Sequence, residues 1–305
     1  MVDPRFSIVI PTHNRAAILR RSLGHLLRLP GVEHCEIVIV DDGSTDDTPT
    51  VIEEYRREHP TLIRCIVLSN GGPARARNHG VKAACMSRIL FIDDDVFPRE
   101  GMLQQHWDIL EKGYVGSQGI LAWHPDIEHT ELIRYIDSRG SQFAFDRIIN
   151  PEELGFQYVY TGNFATHRDA VLDAGGFDES FYRRELSFSA FEDTILGYRL
   201  TSQGGQLAFN SNAIADHLHN MTVNGFLQRE YKVGFISKRL MDLYPEIARR
   251  VGVSKNRQAL GFQVSLLASF AKSQVAAKSM SFPLWMRLRH REAFLRGLYH
   301  AHRES

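Results

Sequence analysis

Four short apolar runs, each followed by a polar break and a helix-length amphipathic stretch, limit what the first third of this chain can become. Phe6 to Ile10 (FSIVI), Glu36 to Val40 (EIVIV), Leu62 to Leu68 (LIRCIVL) and Ile89 to Ile92 (ILFI) are rich in β-branched residues and too short for helices. They read as buried strands. Between the first two, Ile18, Leu19, Leu23, Leu26 and Leu27 recur at helical spacing until Pro30-Gly31 ends the pattern. Asp46 to Glu58 reads as a second helix, with Ser44 or Thr45 as its cap, and Ala74 to Met86 as a third, after the turn Asn70-Gly71-Gly72-Pro73. Strands alternating with helices in this way predict an α/β chain, with a mostly parallel sheet flanked by helices. In such sheets ligands gather beyond the carboxyl ends of the strands. Three of the four runs end in polar groups: Thr12-His13-Asn14, Asp41-Asp42 and Asp93-Asp94-Asp95. The topology therefore places all three sets on one rim.

Beyond residue 100 the alternation weakens. Gly101 to Lys112 reads as a helix and Tyr114 to Trp123 as a strand. Phe156 to Tyr160 reads as a strand entering the turn Thr161-Gly162-Asn163. His167 to Ala174 and Ser189 to Ser202 read as helices stopped by paired glycines. Gln206 to Phe209 and Ala213 to Ala215 read as short strands before Asp216-His217-Leu218-His219, and from Val223 the pattern is helical. The expected organisation is one domain over 1–220 and a helical extension over 221–305.

That extension carries 15 Lys and Arg against 5 Asp and Glu, although the formal net charge of the 305 residues is zero. A basic tail suits anionic lipid or an anionic substrate, the bland alternative being a solvated helical surface. Its stretch Leu284 to Tyr299 is both basic and aromatic. It would lie against an anionic membrane, dock on the first domain, or pair in a homodimer. The longest nearly apolar run, Leu260 to Ala271, falls well short of the ~20 residues of a membrane helix. Asp3 and Pro4 spoil any secretion signal, and Cys35, Cys65 and Cys85 lack disulfide or zinc spacing. The expectation is a cytoplasmic protein, peripheral at most to the inner face of a membrane, with no nucleic-acid partner.

Three adjacent carboxylates repel one another, so Asp93-Asp94-Asp95 at a strand end asks for a cation. Hard oxygen ligands suit Mg²⁺ or Mn²⁺ held together with substrate phosphates; the bland alternative is a solvated loop. Asp41-Asp42-Gly43 is a common turn sequence, yet a carboxylate there is placed to accept from a base N–H or a ribose hydroxyl. The segment Asn70 to Asn78 joins a glycine turn, a helix N-terminus and arginines, a combination that favours phosphate. Neither GxxxxGK[ST] nor GxGxxG occurs. Glu192-Asp193 lies either on a polar helix face or in a cleft. His217 and His219 project to the same side of an extended segment and suit a cation site.

Taken in order, SIVIPTHNR, VDDGSTDDT, NGGPARARNHG, ILFIDDD, TGNFATHRDAVLDAGGFDESF, FEDTILGYRL and HLH resemble the inverting family 2 glycosyltransferases of GT-A fold, from residue 6 to about 219. The GGFDESF and FED pair resembles the C-terminal portion of galactosyltransferase-type enzymes. The resemblance implies a nucleotide-sugar site formed by Pro11, Thr12, Asn14, Asp42, Asn70, Arg77, Asp93 and Asp94. It implies Asp95 and His217 as metal ligands, with His219 the alternative to His217. Asp193 would be the catalytic base and Glu192 its acidic neighbour, while Gly162-Asn163 and Phe177-Asp178 would shape the acceptor pocket. The family often reads EDxDL, and Ile195 stands at the second aspartate, which removes a helper contact but not the base. The implied reaction moves a sugar from a nucleoside-diphosphate sugar, a UDP-sugar foremost, to a hydroxyl of a carbohydrate, lipid-linked or other acceptor. It proceeds by a single Mn²⁺- or Mg²⁺-dependent displacement with inversion. A sugar-nucleotide pyrophosphorylase would carry a glycine-rich loop after the first strand, which PTHNRAAI lacks. A non-catalytic carbohydrate-binding protein of the same fold would have lost the aspartate ends or the base. A phosphatase reading of the aspartates is the third alternative.

Overall fold

The computed structural model describes residues 4–139, 143–253 and 281–303; the Leu260 to Ala271 run lies outside them. The first third follows the expected alternation: β1 (Ser7–Thr12), α1 (Ala16–Leu26), β2 (Glu36–Asp41), α2 (Thr48–Glu58), β3 (Ile63–Val67), α3 (Pro73–Ala83) and β4 (Arg88–Ile92). Then come β5 (Val96–Pro98), α4 (Met102–Glu111), β6 (Gly116–Trp123), α5 (Glu131–Arg139), β7 (Asn163–His167), α6 (Arg168–Asp173), α7 (Glu192–Ser202) and β8 (Leu207–His217). Helices α8 (Val223–Leu243), α9 (Pro245–Arg250) and α10 (Phe282–Arg303) complete the described elements.

The eight strands form one sheet in the order β3-β2-β1-β4-β7-β6-β8-β5. β1 pairs parallel with β2 and β4, β2 with β3, and β6 with β8, while β7 runs antiparallel to both β4 and β6. The carboxyl ends of β1, β2, β3, β4, β6 and β8 therefore open on the same edge. Side chains of successive strand residues point to opposite faces, and both faces are covered. Ile8, Ile10, Ile37, Ile39, Leu90 and Ile92 pack with α1, α2 and α4 on one side. Val9, Val38, Val40, Ile89 and Phe91 pack with α3 and α6 on the other. Gly80 brings α3 close to β1, because a Cβ there would strike the Val9 side chain.

Three expectations need correction. Phe156 to Tyr160 is not a strand: Phe156–Tyr158 form a 3₁₀ turn, and Val159 packs tightly against Gly197 of α7. The strand lies instead at β7, where a turn and a helix start were expected, because the polar Asn163 and Thr166 are buried with their hydrogen bonds met inside the sheet. The two short strands near 206–215 are one, β8, whose register against β6 jumps between Gly119↔Asn210 and Ile120↔Ile214. The extra residues form a bulge.

The chain divides into two compact units. The first, Met1–Ile127, Phe143–Arg184 and Glu192–His219, holds the whole sheet. The second, Glu128–Gln142, Glu185–Phe191 and Asn220–Ser305, holds α5, α8, α9 and α10. Within it, α8 and α10 cross at Gly234 and Gly297, where an added Cβ would collide with the carbonyl oxygens of Phe294 and Tyr231 respectively. Buried Glu230 accepts from His290 at 2.8 Å and from Arg229 at 2.7 Å, and Tyr135 of α5 meets the other nitrogen of His290. Among the described residues no helix is long and apolar enough to cross a membrane.

Candidate active site

The rim of the first unit gathers the acidic strand ends. The Thr12 hydroxyl donates to Asp94 Oδ2 at 2.7 Å, and Asp42 N–H donates to the Thr12 carbonyl at 2.9 Å. Pro11, half-buried, pairs with Val40 one step before this junction. Asn14 takes a left-handed φ of 54° and knits two loops together: its side-chain oxygen accepts from Thr45 N–H at 2.7 Å, and its own N–H donates to Ser44 Oγ at 2.9 Å. Both oxygens of Asp42 accept from the glycine turn, from Gly71 N–H at 2.9 Å and Gly72 N–H at 2.7 Å, with Asn70 Nδ2 at 3.2 Å. Burial raises the Asp42 carboxyl above its ordinary value despite those bonds. Asn70 in turn accepts from the Tyr182 hydroxyl at 2.7 Å.

The antiparallel pairing of β5 with β8 brings the third set together. Val96 lies opposite His217, and Leu218 N–H donates to the Asp95 carbonyl at 2.9 Å. His217 Nε2 then stands 3.2 Å from Asp95 Oδ1 and His219 Nδ1 3.7 Å from Oδ2, the two imidazoles stacking with centroids 5.4 Å apart. One ligand atom from each of the three lies within 4.8 Å of the others. Burial opposes ionisation of Asp95, but the bonds from both histidines and the charge of Arg15 outweigh it and hold this carboxyl far below the usual range. An ionised oxygen beside two imidazole nitrogens fits a divalent cation. Asp94 behaves oppositely: burial and the neighbouring carboxylates push it up to about 7, against Arg15 and Thr12. Arg15 lies 3.3 Å from Asp94 and forms an ion pair with Asp95. Sequence reasoning missed it, although it closes the PTHNR segment.

The base side of the site is linked through Arg77. This buried guanidinium on α3 donates to Asp93 Oδ1 at 2.6 Å, lies 3.9 Å from Glu192 Oε1, and sits over the Phe177 ring. Burial works against its charge, but Asp93, Asp193 and Glu192 together hold it firmly protonated. Glu192 and Asp193 open α7 and point inward, not onto a solvated face. Asp193 accepts from the Thr161 hydroxyl at 2.9 Å and the Thr161 N–H at 3.2 Å. Enclosure by protein and the charge of Asp93 raise the Asp193 carboxyl, against Arg77 and Thr161. Gly162 leaves room for Asp93, since a Cβ there would stand 3.3 Å from Asp93 Oδ2.

The expected acceptor-pocket residues divide. Asn163 is fully buried and bonded to His106, Ile120 and Ala213, so it lines no pocket, whereas Phe177, a buried ring meeting Phe91 edge-on, and Asp178 line a cleft of about 490 Å³ with Asn78 and Arg199. Ile195 is likewise wholly buried, its apolar side chain filling core space. Also unforeseen is His106. Asn163 Oδ1 can only accept, so His106 donates from Nε2 at 2.8 Å and accepts at Nδ1 from Ser117 Oγ at 2.9 Å. Burial lowers this imidazole to about 4, and it is neutral at pH 7.

Comparison with known proteins bears on this arrangement directly. Residues 7–174, from β1 through α6, match Glycosyl transferase family 2. A validoxylamine A glucosyltransferase of Streptomyces hygroscopicus subsp. jinggangensis is 30% identical over 228 residues, covering 66% of this chain and 52% of that protein. The chain spans about half the length of the first curated relatives it matches. Two solved structures share the fold. The mannosyltransferase PcManGT from Pyrobaculum calidifontis, in complex with GDP-Man and Mn²⁺, has a TM-score of 0.67 at 16% identity, over 100% of this chain and 87% of that one. The 1–349 fragment of S. aureus TarS, in complex with UDP-GlcNAc, has a TM-score of 0.57 at 14% identity, over 98% of this chain and 92% of that one. With the matched segment covering more than half of the residues and carrying the Asp42, Arg77 and Asp93–Asp95 corners of the rim, the chain belongs to glycosyl transferase family 2.

Proposed function

We propose that the chain transfers a sugar from a nucleoside-diphosphate sugar, a UDP-sugar foremost, to an acceptor hydroxyl by a single displacement that inverts the anomeric centre. The observation that carries this reading is the continuous chain Asp193–Arg77–Asp93 beside the Asp95–His217–His219 cluster. It supports a carboxylate able to take a proton near a candidate cation site. Donor complexes of the two fold neighbours, one with GDP-Man and Mn²⁺ and one with UDP-GlcNAc, agree with a nucleotide-sugar donor.

Asp193 Oδ takes the acceptor proton as the hydroxyl attacks; its raised affinity for protons, set by enclosure and by Asp93, suits a base that must gain one. Thr161 fixes the carboxylate through two hydrogen bonds, and Arg77 stabilises its ionised form while fastening Asp93. Pro11, Thr12, Asn14, Asp42, Asn70, Asp93 and Asp94 bound the nucleotide end, with Asp42 holding the glycine turn in shape. Asp95 and His217, joined by His219, would hold the divalent ion, which when bound neutralises charge on the departing diphosphate. A mixed oxygen and nitrogen set favours Mn²⁺ over Mg²⁺. Residues 1–220 serve as the catalytic domain. Residues 221–305, cytoplasmic with the rest, serve as a basic extension for an anionic membrane face or a homodimer.

Asp193→Asn tests the assignment. Transfer should fall by at least about 10³-fold while binding of donor nucleotide, read by calorimetry, stays within twofold. Turnover near the native rate in this variant would remove Asp193 as the base.

A further inference from the structure

Away from the acidic rim, the first unit carries a cleft of about 440 Å³ whose wall is cationic. Arg20, Arg21, His25 and Arg28 reach it from α1 and the turn that follows, Tyr55 from α2, and His124 from the end of β6. Arg20 and Gly24 fall on one face of α1 by their spacing of four, and Arg28, in the turn beyond it, brings its Nη1 to 3.9 Å from where a Cβ on Gly24 would stand. Gly24 keeps the floor open, since a Cβ there would stand 3.0 Å from the Tyr55 hydroxyl.

The wall is held from behind. Phe97, buried, meets the His25 ring at 5.6 Å, the His124 ring at 4.7 Å and the Arg21 guanidinium at 5.7 Å. His25 donates from Nε2 to the Pro98 carbonyl at 2.7 Å, and His124 Nδ1 accepts from Asp126 N–H at 3.1 Å. The cations themselves remain available. Arg20 pairs with Glu54 at 2.5 Å and Arg21 with Asp126 at 2.7 Å, but all four side chains are about half exposed. Such pairs exchange readily for a better partner. Arg28 makes no ion pair among the described residues. Three arginines line one open cleft, and guanidinium groups are suited to phosphate, which they bind by bidentate hydrogen bonds.

The cleft shares its framework with the candidate cation cluster. Phe97, in β5, follows Asp95 by two residues, about 7 Å of extended chain. His124 N–H donates to the His217 carbonyl at 3.1 Å. An anion held here lies on the flank of the rim and not in it.

We propose that this cleft is a phosphate subsite for the acceptor: the molecule that receives the sugar carries a phosphate monoester or diester, and Arg20, Arg21 and Arg28 hold that phosphate. The identity of the bound molecule as an acceptor rests on the glycosyltransferase reading; the phosphate site does not.

The test uses the full chain and the double variant R20Q/R28Q, whose changed side chains are exposed. Binding of sn-glycerol 3-phosphate is measured by calorimetry, and binding to vesicles of phosphatidylglycerol in phosphatidylcholine by co-sedimentation. The native chain should bind at least one of the two probes, with affinity falling as salt rises. The double variant should bind that probe at least about tenfold more weakly, with Mn²⁺ and UDP binding unchanged. Loss of the soluble probe assigns the site to a soluble or polymeric phosphate, and loss confined to vesicles assigns it to a lipid headgroup. Equal binding by native chain and variant, or binding of neither probe by the native chain, overturns the proposal. If phosphate binding is lost in the variant while the native chain transfers no sugar from any donor, the cleft stands and the glycosyltransferase reading falls. If transfer is present and phosphate binding indifferent, the reverse holds.

Discussion

Asp193 ionises at a cost to the fold. Its folded-state proton affinity is raised, so the native state binds the proton more tightly than the unfolded chain. The stabilisation this brings is full below the unfolded pKa and is lost as pH rises through the folded value. Asn at the same place carries no charge at any pH and keeps partners for both Thr161 contacts. Asp193→Asn is therefore expected to melt higher than the native chain at pH 8, with the difference shrinking as the pH falls. An equal or lower melting temperature at pH 8 would mean that Arg77 more than offsets the enclosure. Arg15 poses the complementary question. It sits against Asp94 and against Asp95, itself a member of the candidate cation cluster, so a metal must compete with it. Arg15→Gln should bind Mn²⁺ about 3–10-fold more tightly without nucleotide, as read by the free Mn²⁺ electron-spin-resonance signal; weaker binding would make Arg15 a support of the ion site. Neither effect was legible in the sequence, because an arginine in a loop and an aspartate on a helix show their environment only after strands far apart in the chain are paired.

The elements that sequence pattern reveals are those whose burial is two-sided and apolar. β1, β2 and β4 are runs of Ile, Val, Leu and Phe because helices cover both faces, and their polar ends follow from the rim. β7 was hidden for the opposite reason. Asn163 and Thr166 read as turn and surface residues, yet His106, the Ile120 and Ala213 carbonyls and the Val115 carbonyl satisfy them inside the sheet. β5, with three residues, is too short to show a period, and it is the element that delivers His217 to Asp95. The α8–α10 crossing was equally silent, since glycine in a helix ordinarily signals weakness. Here Gly234 and Gly297 let the backbones touch. Ala would raise helix propensity by about 1 kcal/mol, but its Cβ would meet a carbonyl oxygen that cannot rotate away, and overpacking of this kind costs about 1–3 kcal/mol. Gly297→Ala should thus lower the urea midpoint of the full chain. A raised midpoint would show the crossing to have slack.

At the scale of the whole molecule, the candidate site draws on residues from Pro11 to His219, most of them at strand ends of a single sheet, with Arg77 carried by α3 and Asp193 by α7. Strand order brings Thr12, Asp42 and Asp93–Asp95 together from loops that are far apart in sequence, and the β5–β8 pairing adds the histidines. Separated from that sheet, no part of the set keeps its geometry, so binding and folding must be linked. A ligand that binds only the native state stabilises it by about 2.7 kcal/mol when present at 100 times its Kd. The candidate cation cluster and the proposed nucleotide end share the Asp93–Asp94–Asp95 corner, where Arg15 and Arg77 already offset part of the repulsion among three carboxylates and a divalent ion would offset more. Mn²⁺ and the nucleotide diphosphate should therefore assist each other, since an ion held at Asp95 and His217 would offset the negative charge of both the corner and the diphosphate. Differential scanning calorimetry of the full chain is expected to show a larger rise in Tm with Mn²⁺ and UDP together than the sum of the rises with each alone. The excess should vanish with EDTA and in Asp95→Ala. Strictly additive shifts would mean that ion and nucleotide occupy independent places, and the common rim would then not be a single donor site.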